Sequence, residues 1–451
     1  MKKLFLILLA GAFLSSAAIL GFGIYKYGSI KGLTRRVQLE IASRRPNEPI
    51  VIPTFVPVAT VDTAAFVANL ATDTPIPTEK PTLTSIPTIT STPTRNISAI
   101  DDTEPTAAPS PEPTVTPPIL LSPTPTITPT PIYTPAAQFV NLTGYTHNWQ
   151  EWNNCGPATL ATYLSYLGKG VTQFDTAEIL KPNESDKNVR VDEIVAYVES
   201  RFPDLVVTPI LNGSSETMRI LLSNGYPVML QTWLEEDPDD GMGHFRFLVG
   251  YDEKTNEWIV SDSYVSENVS SPYEGIRISD EEFINHWSVF GHIYILIHRP
   301  EDSLMIESII GGDLDPEFNR ATAFADYSAR LQTEPENPFV WLTMGDLLLA
   351  EGRSAEAVQA YDQARTIGLP WRMFWYSFGI FEAYMAVERY EDVVSLADAT
   401  IKSGGAGEEL YYWKGIGHRA LGEEAEAKAA FRQALWWNPS HQASRDALNS
   451  S

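Results

Sequence analysis

The chain is poor in cysteine, in basic residues and in metal-binding patterns, and each shortage excludes a class of protein. One cysteine, Cys155, occurs in 451 residues, which excludes an intramolecular disulfide. The 32 lysines and arginines are outnumbered by 57 aspartates and glutamates, for a formal net charge of −25. This imbalance argues against nucleic acid as a partner. No metal-ligand spacing occurs, so the sequence predicts neither a metal nor another cofactor.

What the chain does have near its N-terminus is a long apolar run. Leu4 to Tyr25 is almost uninterrupted apolar sequence and is just long enough to span a bilayer. Small residues at Ser16-Ala17-Ala18 would also suit cleavage of a signal peptide. We favour an uncleaved transmembrane anchor over residues 1–36, because the apolar run continues past that position; a secreted protein is the alternative. Since no cysteine lies near the run, a lipid-anchored lipoprotein is excluded.

A segment rich in proline, threonine and serine follows, over residues 37–137. It contains repeats such as Pro123-Thr124-Pro125-Thr126, and few of its residues could build a core, so we predict a disordered, extended linker. Basic residues after the apolar run weaken the case for export under the positive-inside rule. A long polar stalk nevertheless makes most sense outside a cell, so we predict a single-pass protein of the cell membrane with extracellular C-terminal domains. The alternative is a generic spacer without a surface role.

Residues 138–300 combine helical and strand patterns. Helical spacing of apolar residues begins at Cys155 and again over Val191 to Phe202, and strand-like runs follow from Tyr226 onward. The polar turn at residues 252–257 joins two of these runs as an antiparallel hairpin. Helices first and a sheet afterwards predict an α+β domain.

The single cysteine lies in the string Asn-Asn-Cys-Gly-Pro-Ala-Thr-Leu, directly before a predicted amphipathic helix. Pro157 suits the first turn of that helix, and Leu160, Tyr163 and Leu164 would be buried on one face. A sulfur at a helix N-terminus feels the positive end of the helix dipole, which lowers the pKa of the thiol. We therefore interpret Cys155 as a nucleophile; the alternative is a buried cysteine that acts as a small hydrophobic residue.

Three polar residues could complete a thiol site around this cysteine. His244 begins one strand of the predicted hairpin, and Asp262 follows the partner strand two or three positions out of register, which a small β-bulge could correct. The carboxylate would orient the imidazole, whose other nitrogen would draw the proton from Cys155. Gln150 could direct its side-chain amide at a developing oxyanion, beside the backbone N–H of Cys155. The alternatives are an ordinary strand histidine and an ordinary turn aspartate.

Four blocks of sequence also occur in an order that is typical of a known family. They are Gln150–Ala158, Gly225–Val228, His244–Asp252 and Asp262–Tyr264. Together they resemble the papain-like double-glycine-leader peptidases, cysteine peptidase family thirty-nine, and especially its stand-alone bacterial members. The resemblance implies a papain-like domain with Cys155 as nucleophile, His244 as base and Asp262 as the orienting acid. By the same resemblance Gln150 would be the oxyanion donor. Ser263 departs from the family, which usually has proline there.

Residues 316–451 show a recurring pattern of small and aromatic residues with a period of about 34 residues. Its first copy and its last half-copy comprise Trp341, Met344, Gly345, Leu348, Ala357, Tyr361 and Ala364, then Ala427, Phe431, Ala434 and Pro439. The pattern resembles tetratricopeptide repeats, which implies an all-α solenoid that docks a peptide or protein; the alternative is a solenoid that only supports the first domain. We expect few apolar residues around 301–315 to link the repeats to the first domain, and therefore expect the repeats to fold separately.

These patterns predict a cell-surface thiol peptidase that forms an acyl-enzyme on Cys155 and resolves it with water. Its partners would be a peptide or protein substrate, a protein bound by the repeats, and the membrane through the N-terminal helix. One alternative is a catalytically inactive scaffold of the same fold that binds peptides. Another is an enzyme that transfers the acyl group to an amine.

Overall fold

The structure, a computed structural model, describes residues 61–70, 133–235, 241–265, 273–404 and 407–450. All of these residues belong to one compact unit of the chain. The predicted anchor at residues 1–36 and most of the predicted linker lie outside the described ranges. Within those ranges, no helix combines the length and the apolar character needed to cross a membrane.

A sheet of seven strands forms the centre of the first domain. The strands are β1 (Phe139–Asn141), β2 (Val206–Ile210), β3 (Val228–Leu234), β4 (Met242–Asp252), β5 (Glu257–Asp262), β6 (Ile276–Ser279) and β7 (Tyr294–His298). A short helix, α1 (Thr63–Leu70), precedes the domain in the chain. The helices around the sheet are α2 (Cys155–Tyr166), α3 (Gln173–Leu180), α4 (Val191–Arg201), α5 (Ser215–Ser223), α6 (Asp280–Ser288) and α7 (Ser303–Ile310).

The sheet separates two layers of helices. Its strands run in the order β2-β7-β3-β4-β5-β6, and β1 pairs with one end of β4. Because successive side chains of a strand point to opposite faces, Phe247 packs with α2 and α4, while Leu248 packs with α5, α6 and α7. This arrangement confirms the predicted mixed α+β domain.

Helices alone make up the C-terminal part of the chain. They are α8 (Pro316–Thr333), α9 (Pro338–Ala350), α10 (Ser354–Ile367), α11 (Gly379–Ala386), α12 (Tyr390–Lys402), α13 (Glu408–Ala420), α14 (Glu424–Trp437) and α15 (Gln442–Asn449). Gly345 and Gly415 show why small residues recur in the pattern. A Cβ atom at Gly345 would lie 2.6 Å from the Tyr361 ring, and one at Gly415 would lie 2.5 Å from the Phe431 ring. Each glycine therefore admits the aromatic ring of the next helix.

The prediction of a disordered linker over residues 37–137 is wrong at Thr63–Leu70, which forms α1. Phe66 and Leu70 are buried, and the Phe66 ring lies 5.2 Å from the ring of Trp341. The helix forms because this short stretch lacks proline and carries apolar residues that bury against α8 and α9. The linker prediction also extends too far at its other end, since the Thr134 backbone N–H donates to Asn224 (2.8 Å).

The expectation that the repeats fold separately is overturned by a core that the two parts share. Trp233 and Val289 of the first domain belong to the same buried cluster as Trp341. Asn319 of α8 pairs with the backbone of Leu211 in both directions, accepting from its N–H (3.1 Å) and donating to its carbonyl (2.9 Å). The apolar residues Trp233 and Val289 come from strand β3 and from the end of helix α6, and not from residues 301–315, so the composition of that segment is uninformative.

Candidate active site

Helix α2 places Cys155 at its N-terminus, beside β4. The helix is buried nearly all round, from Gly156 to Leu164, and not on one face as the sequence pattern suggests. The Thr159 hydroxyl donates to the carbonyl of Phe245 (3.1 Å), which ties the first turn of α2 to β4. Gly156 favours this approach, because a Cβ atom there would be in tight contact with Val189 at 3.3 Å and with Phe245 at 3.4 Å. Cys155 as a whole residue is partly exposed.

Two buried side chains hold the loop that precedes Cys155. Gln173 accepts hydrogen bonds from the backbone of Glu151 and the side chain of Asn154, both at 2.8 Å, and donates to the Trp149 carbonyl (2.7 Å). The Lys181 ammonium donates to the carbonyls of residues 152 and 153, each at 3.0 Å. Because these contacts satisfy the backbone of a tight loop, the loop has one defined conformation next to the thiol.

The hairpin of β4 and β5 brings His244 and Asp262 to the same face of the sheet. Near the turn, Asp252 pairs with Glu257, the register that the sequence predicts. A register shift between Leu248 and Gly250 then moves Asp262 opposite Arg246 instead of opposite Phe247. Since residues two apart on a strand share a face, Asp262 becomes the diagonal neighbour of His244. The expected bulge is thus present and necessary.

Asp262 is fully buried and accepts hydrogen bonds from two cationic side chains. Its Oδ1 atom lies 3.0 Å from Nε2 of His244, and its Oδ2 atom accepts from Nε of Arg246 at 2.9 Å. Burial alone would raise the pKa of the Asp262 carboxyl, but the charges and hydrogen bonds of His244 and Arg246 outweigh it and hold that pKa far below its usual range. Asp262 is therefore an anion that fixes the orientation of the imidazole.

The second ring nitrogen of the His244 imidazole is hydrogen-bonded to the Cys155 thiol. His244 and Cys155 form a hydrogen bond, and since Nε2 is taken by Asp262, the nitrogen toward the sulfur is Nδ1. Burial lowers the pKa of His244, yet the Asp262 carboxylate and the Cys155 sulfur raise it overall to about 9. Burial raises the pKa of the Cys155 thiol, while the hydrogen bond and charge of His244 lower it below its ordinary value. The pair therefore favours thiolate and imidazolium at neutral pH.

Gln150 is fixed by the residue that departs from the family pattern. The Ser263 hydroxyl donates to Oε1 of Gln150 at 2.9 Å, and the Gln150 backbone N–H donates to the Ser263 carbonyl at 2.9 Å. With Oε1 engaged, the amide nitrogen is the end of the side chain that can donate to an oxyanion. Serine in place of proline thus adds a contact that orients the predicted oxyanion donor.

His147 is held near this site by two contacts, although it lies outside the strands and helices. Its Nδ1 atom lies 2.8 Å from the Ser261 hydroxyl, and its ring stacks on Tyr273 at 3.8 Å. Burial lowers the pKa of His147 to about 4, with Asp262 opposing the shift. His147 is therefore a neutral neighbour of the carboxylate, and His244 is the histidine that bonds the thiol.

The sequence did not predict Tyr376, which comes from the repeats and lies beside the thiol. Its ring packs so closely on Gly243 that a Cβ atom there would lie 2.9 Å from it. Its hydroxyl bonds the Gly243 backbone, and burial and then the charge of Cys155 raise the pKa of the phenol. Tyr376 also lines two cavities, of about 500 and 310 Å³, between the first domain and the repeats. A residue of the C-terminal helical region thus packs beside the thiol.

Comparisons with known proteins agree with this arrangement. Residues 135–295 match the model of the Peptidase_C39 like family. The chain carries a Peptidase C39-like domain. Residues 408–441, which span α13 and α14, match the model of the tetratricopeptide repeat. No curated protein matches the chain.

Several solved structures are similar to parts of the chain. A Bacillus anthracis protein described as a C39-like peptidase is 16% identical, over 36% of this chain and 98% of that one, with a TM-score of 0.30. The peptidase domain of Streptococcus ComA, a bifunctional ABC transporter involved in a quorum-sensing pathway, is 17% identical, over 35% of this chain and 99% of that one (TM-score 0.27). MamA is 14% identical, over 30% of this chain and 78% of its own (TM-score 0.28).

Proposed function

We propose that this chain is a thiol peptidase in which Cys155 is the nucleophile, His244 the base and Asp262 the acid that orients it. The observation that carries the proposal is the hydrogen-bonded line from the thiol through His244 to a fully buried carboxylate. A thiol with a lowered pKa and an oriented imidazole is what nucleophilic catalysis requires. The Peptidase C39-like match over residues 135–295 supports the same class of reaction.

The proposed reaction needs no group beyond these side chains. The Cys155 thiolate attacks a peptide carbonyl carbon and forms a C–S bond, while the amide of Gln150 and the Cys155 backbone N–H stabilise the oxyanion. The His244 imidazolium then gives its Nδ1 proton to the leaving nitrogen as the C–N bond breaks. Water, deprotonated by the neutral imidazole, hydrolyses the thioester and restores the thiol.

The proposal is tested by the reactivity of the single thiol. We expect iodoacetamide at pH 7 to label Cys155 in the full chain, and His244→Ala to slow labelling by about 30-fold or more, because an ordinary thiol is only about 3% ionised at that pH. His286→Ala is the matched control, since His286 lies on α6 and pairs with Glu282. Equal labelling rates in the parent and in His244→Ala would contradict the proposed activation of Cys155 by His244.

The position of Tyr376 favours a second candidate, a scaffold that binds peptides without cleaving them, because the repeats narrow the approach to the thiol. A library of peptides incubated with the full chain separates the two candidates, with Cys155→Ala as the blank. Cleavage that Cys155→Ala abolishes supports the peptidase. Rapid labelling of Cys155 without any cleaved peptide supports the scaffold, and a product joined to an added amine would indicate acyl transfer.

We also assign the repeats a part in admitting the substrate, since Gln231, Tyr376 and Phe378 line both cavities at the junction. Tyr376→Ala should speed labelling by a bulky maleimide more than labelling by iodoacetamide, because a wall of the cleft is removed. Tyr411→Ala, on α13, is the control. If Tyr376→Ala speeds labelling by both reagents equally, Tyr376 affects the reactivity of the thiol and not the access of reagents to it. Protein partners of the repeats would bind elsewhere on the solenoid.

The cell-surface location also remains a proposal, supported by the apolar run from Leu4 to Tyr25 and the proline- and threonine-rich stretch after it. Protease added to intact cells should release a fragment that begins within residues 71–132. Release only after lysis would place the catalytic domain on the other side of the membrane.

A further inference from the structure

Four carboxylates converge where the Peptidase C39-like domain meets the repeats. Asp186 and Glu193 belong to the first domain, and Glu408 and Glu409 begin α13. Carboxylate oxygens of Glu193, Glu408 and Glu409 all lie within 4.8 Å of one another. Asp186, Glu408 and Glu409 are 5%, 3% and 5% exposed, so these groups are not solvated surface acids. Their charges must be balanced by something inside the junction.

The cations near the cluster do not balance it. Arg190 reaches Glu409 at 3.4 Å, but the same guanidinium also pairs with Asp192, a fifth acid. The Lys187 ammonium donates to the Gly404 carbonyl and lies 4.4 Å from the centre of the Trp375 ring. The N-termini of α4 and α13 add about half a positive charge each. Five carboxylates thus face two side-chain cations, assisted by the positive ends of two helices.

The carboxylate of Glu408 indicates where a cation would bind in the cluster. Its Oε1 atom accepts from Asn438 at 2.6 Å. Its Oε2 atom is buried and accepts from no N–H group or cation among the described residues, because the neighbouring side chain is another carboxyl, that of Asp186. Asp186 lies next to this carboxylate, and two carboxylates repel each other. An ionised oxygen that is buried without a donor is costly, so the cluster is arranged for a ligand that accepts electron pairs.

We propose that Glu193, Glu408 and Glu409 bind a calcium ion, with Asp186 beside it. All the available ligands are hard carboxylate oxygens, which suit calcium and magnesium and not zinc, whose protein sites use nitrogen and sulfur. Calcium is favoured over magnesium because it takes several carboxylates in flexible geometry, whereas magnesium keeps most of its water. The ion would join α4 to α13 and so hold the repeats against the first domain.

The full chain, dialysed against EDTA and then buffer, is titrated with calcium by calorimetry. We expect binding of one ion per chain and a melting temperature several degrees higher in calcium than in EDTA, with a smaller shift in magnesium. Terbium provides a second probe, because Tyr412 and Trp413 line the same cavity as Glu409 and would sensitise its emission. No heat of binding and equal melting temperatures in calcium and EDTA would overturn the proposal.

A substitution tests whether the ion binds at this cluster. Glu408→Gln should abolish the calcium-dependent rise in melting temperature and the sensitised terbium emission. The double variant Glu281→Gln/Glu282→Gln, which removes two exposed acids from the first turn of α6, is the matched control and should keep both. If Glu408→Gln binds calcium like the parent, the ion lies elsewhere and the proposal is wrong. Glu193→Gln gives the same test should Glu408→Gln fail to fold.

Discussion

Two groups of buried charge lie in the same compact unit and differ in how they are balanced. Asp262 is enclosed by two cationic side chains, His244 at 3.0 Å and Arg246 at 2.9 Å. Glu408, at the junction with the repeats, faces other carboxylates, and one of its oxygens accepts from no donor among the residues that the structure describes. Both are about equally buried. The difference therefore lies in the partners and not in exposure to water.

The comparison teaches what each cluster can do. A carboxylate balanced by its own side chains stays ionised, holds an imidazole in place and so lowers the pKa of the Cys155 thiol. A carboxylate that lacks a cation must take a proton or a metal ion from solution. The first arrangement needs no ion from solution and suits catalysis. The second makes the stability of the junction depend on the protons and metal ions in the solvent.

Removing a cation from the balanced cluster should have the largest effect on stability. Arg246→Met leaves the buried Asp262 with His244 alone, and we expect the free energy of unfolding to fall by about 3–5 kcal/mol. Arg277→Met is the control, since Arg277 pairs with Asp252 and Glu257 while 44% exposed, and it should cost less than about 1 kcal/mol. Urea denaturation of the full chain measures both. Equal small losses would show that His244 alone balances Asp262.

The pH dependence of labelling should show the next largest effect, about 30-fold at pH 7. The pKa of Cys155 is lowered and that of His244 is raised to about 9, which favours the thiolate and imidazolium below pH 9. The iodoacetamide rate of the parent should thus rise less steeply from pH 7 to 9 than that of His244→Ala. In His244→Ala the rate should rise about tenfold per pH unit and approach the parent near pH 9. A parent profile as steep as that of His244→Ala would contradict the ion pair.

Neutralising an acid at the junction should have the smallest effect, and of opposite sign. In EDTA, Glu408→Gln keeps an oxygen for Asn438 and turns an amide N–H toward Asp186, so we expect a gain of about 1 kcal/mol in the free energy of unfolding. Asp262→Asn, the same type of change in the balanced cluster, should lower that free energy. A loss of stability in Glu408→Gln under EDTA would mean that its carboxylate already has a cationic partner.

The residues of the candidate site could be predicted because their geometry is mostly local. The length of the turn at residues 252–257 sets the pairing of β4 with β5, and the parity of a strand sets the face. Cys155, His244 and Asp262 follow from that pairing together with the helix signal at Gly156-Pro157. Only the bulge between Leu248 and Gly250 had to be supplied.

Other features could not be predicted because they join distant parts of the chain. Arg246 reads as one polar residue in an apolar strand, and only its pairing shows that it balances Asp262. Tyr376 reads as part of an aromatic segment between repeats, and nothing local indicates that it reaches Gly243. Helix α1 was hidden by the average composition of the proline-rich stretch around it. In each case the role of the residue or helix depends on a partner that is distant in sequence, and not on the local sequence pattern.

The sequence by itself determined the order of the domains, the helix that carries the thiol, the hairpin that carries its base and acid, and the periodicity of the repeats. These follow from steric and solvation preferences that act over a few residues. Only the tertiary structure decided that the repeats share a core with the first domain, that Tyr376 packs beside Cys155, and that Glu193 meets Glu408. Such contacts depend on how whole elements pack, because burial and charge pairing are properties of the assembled interior.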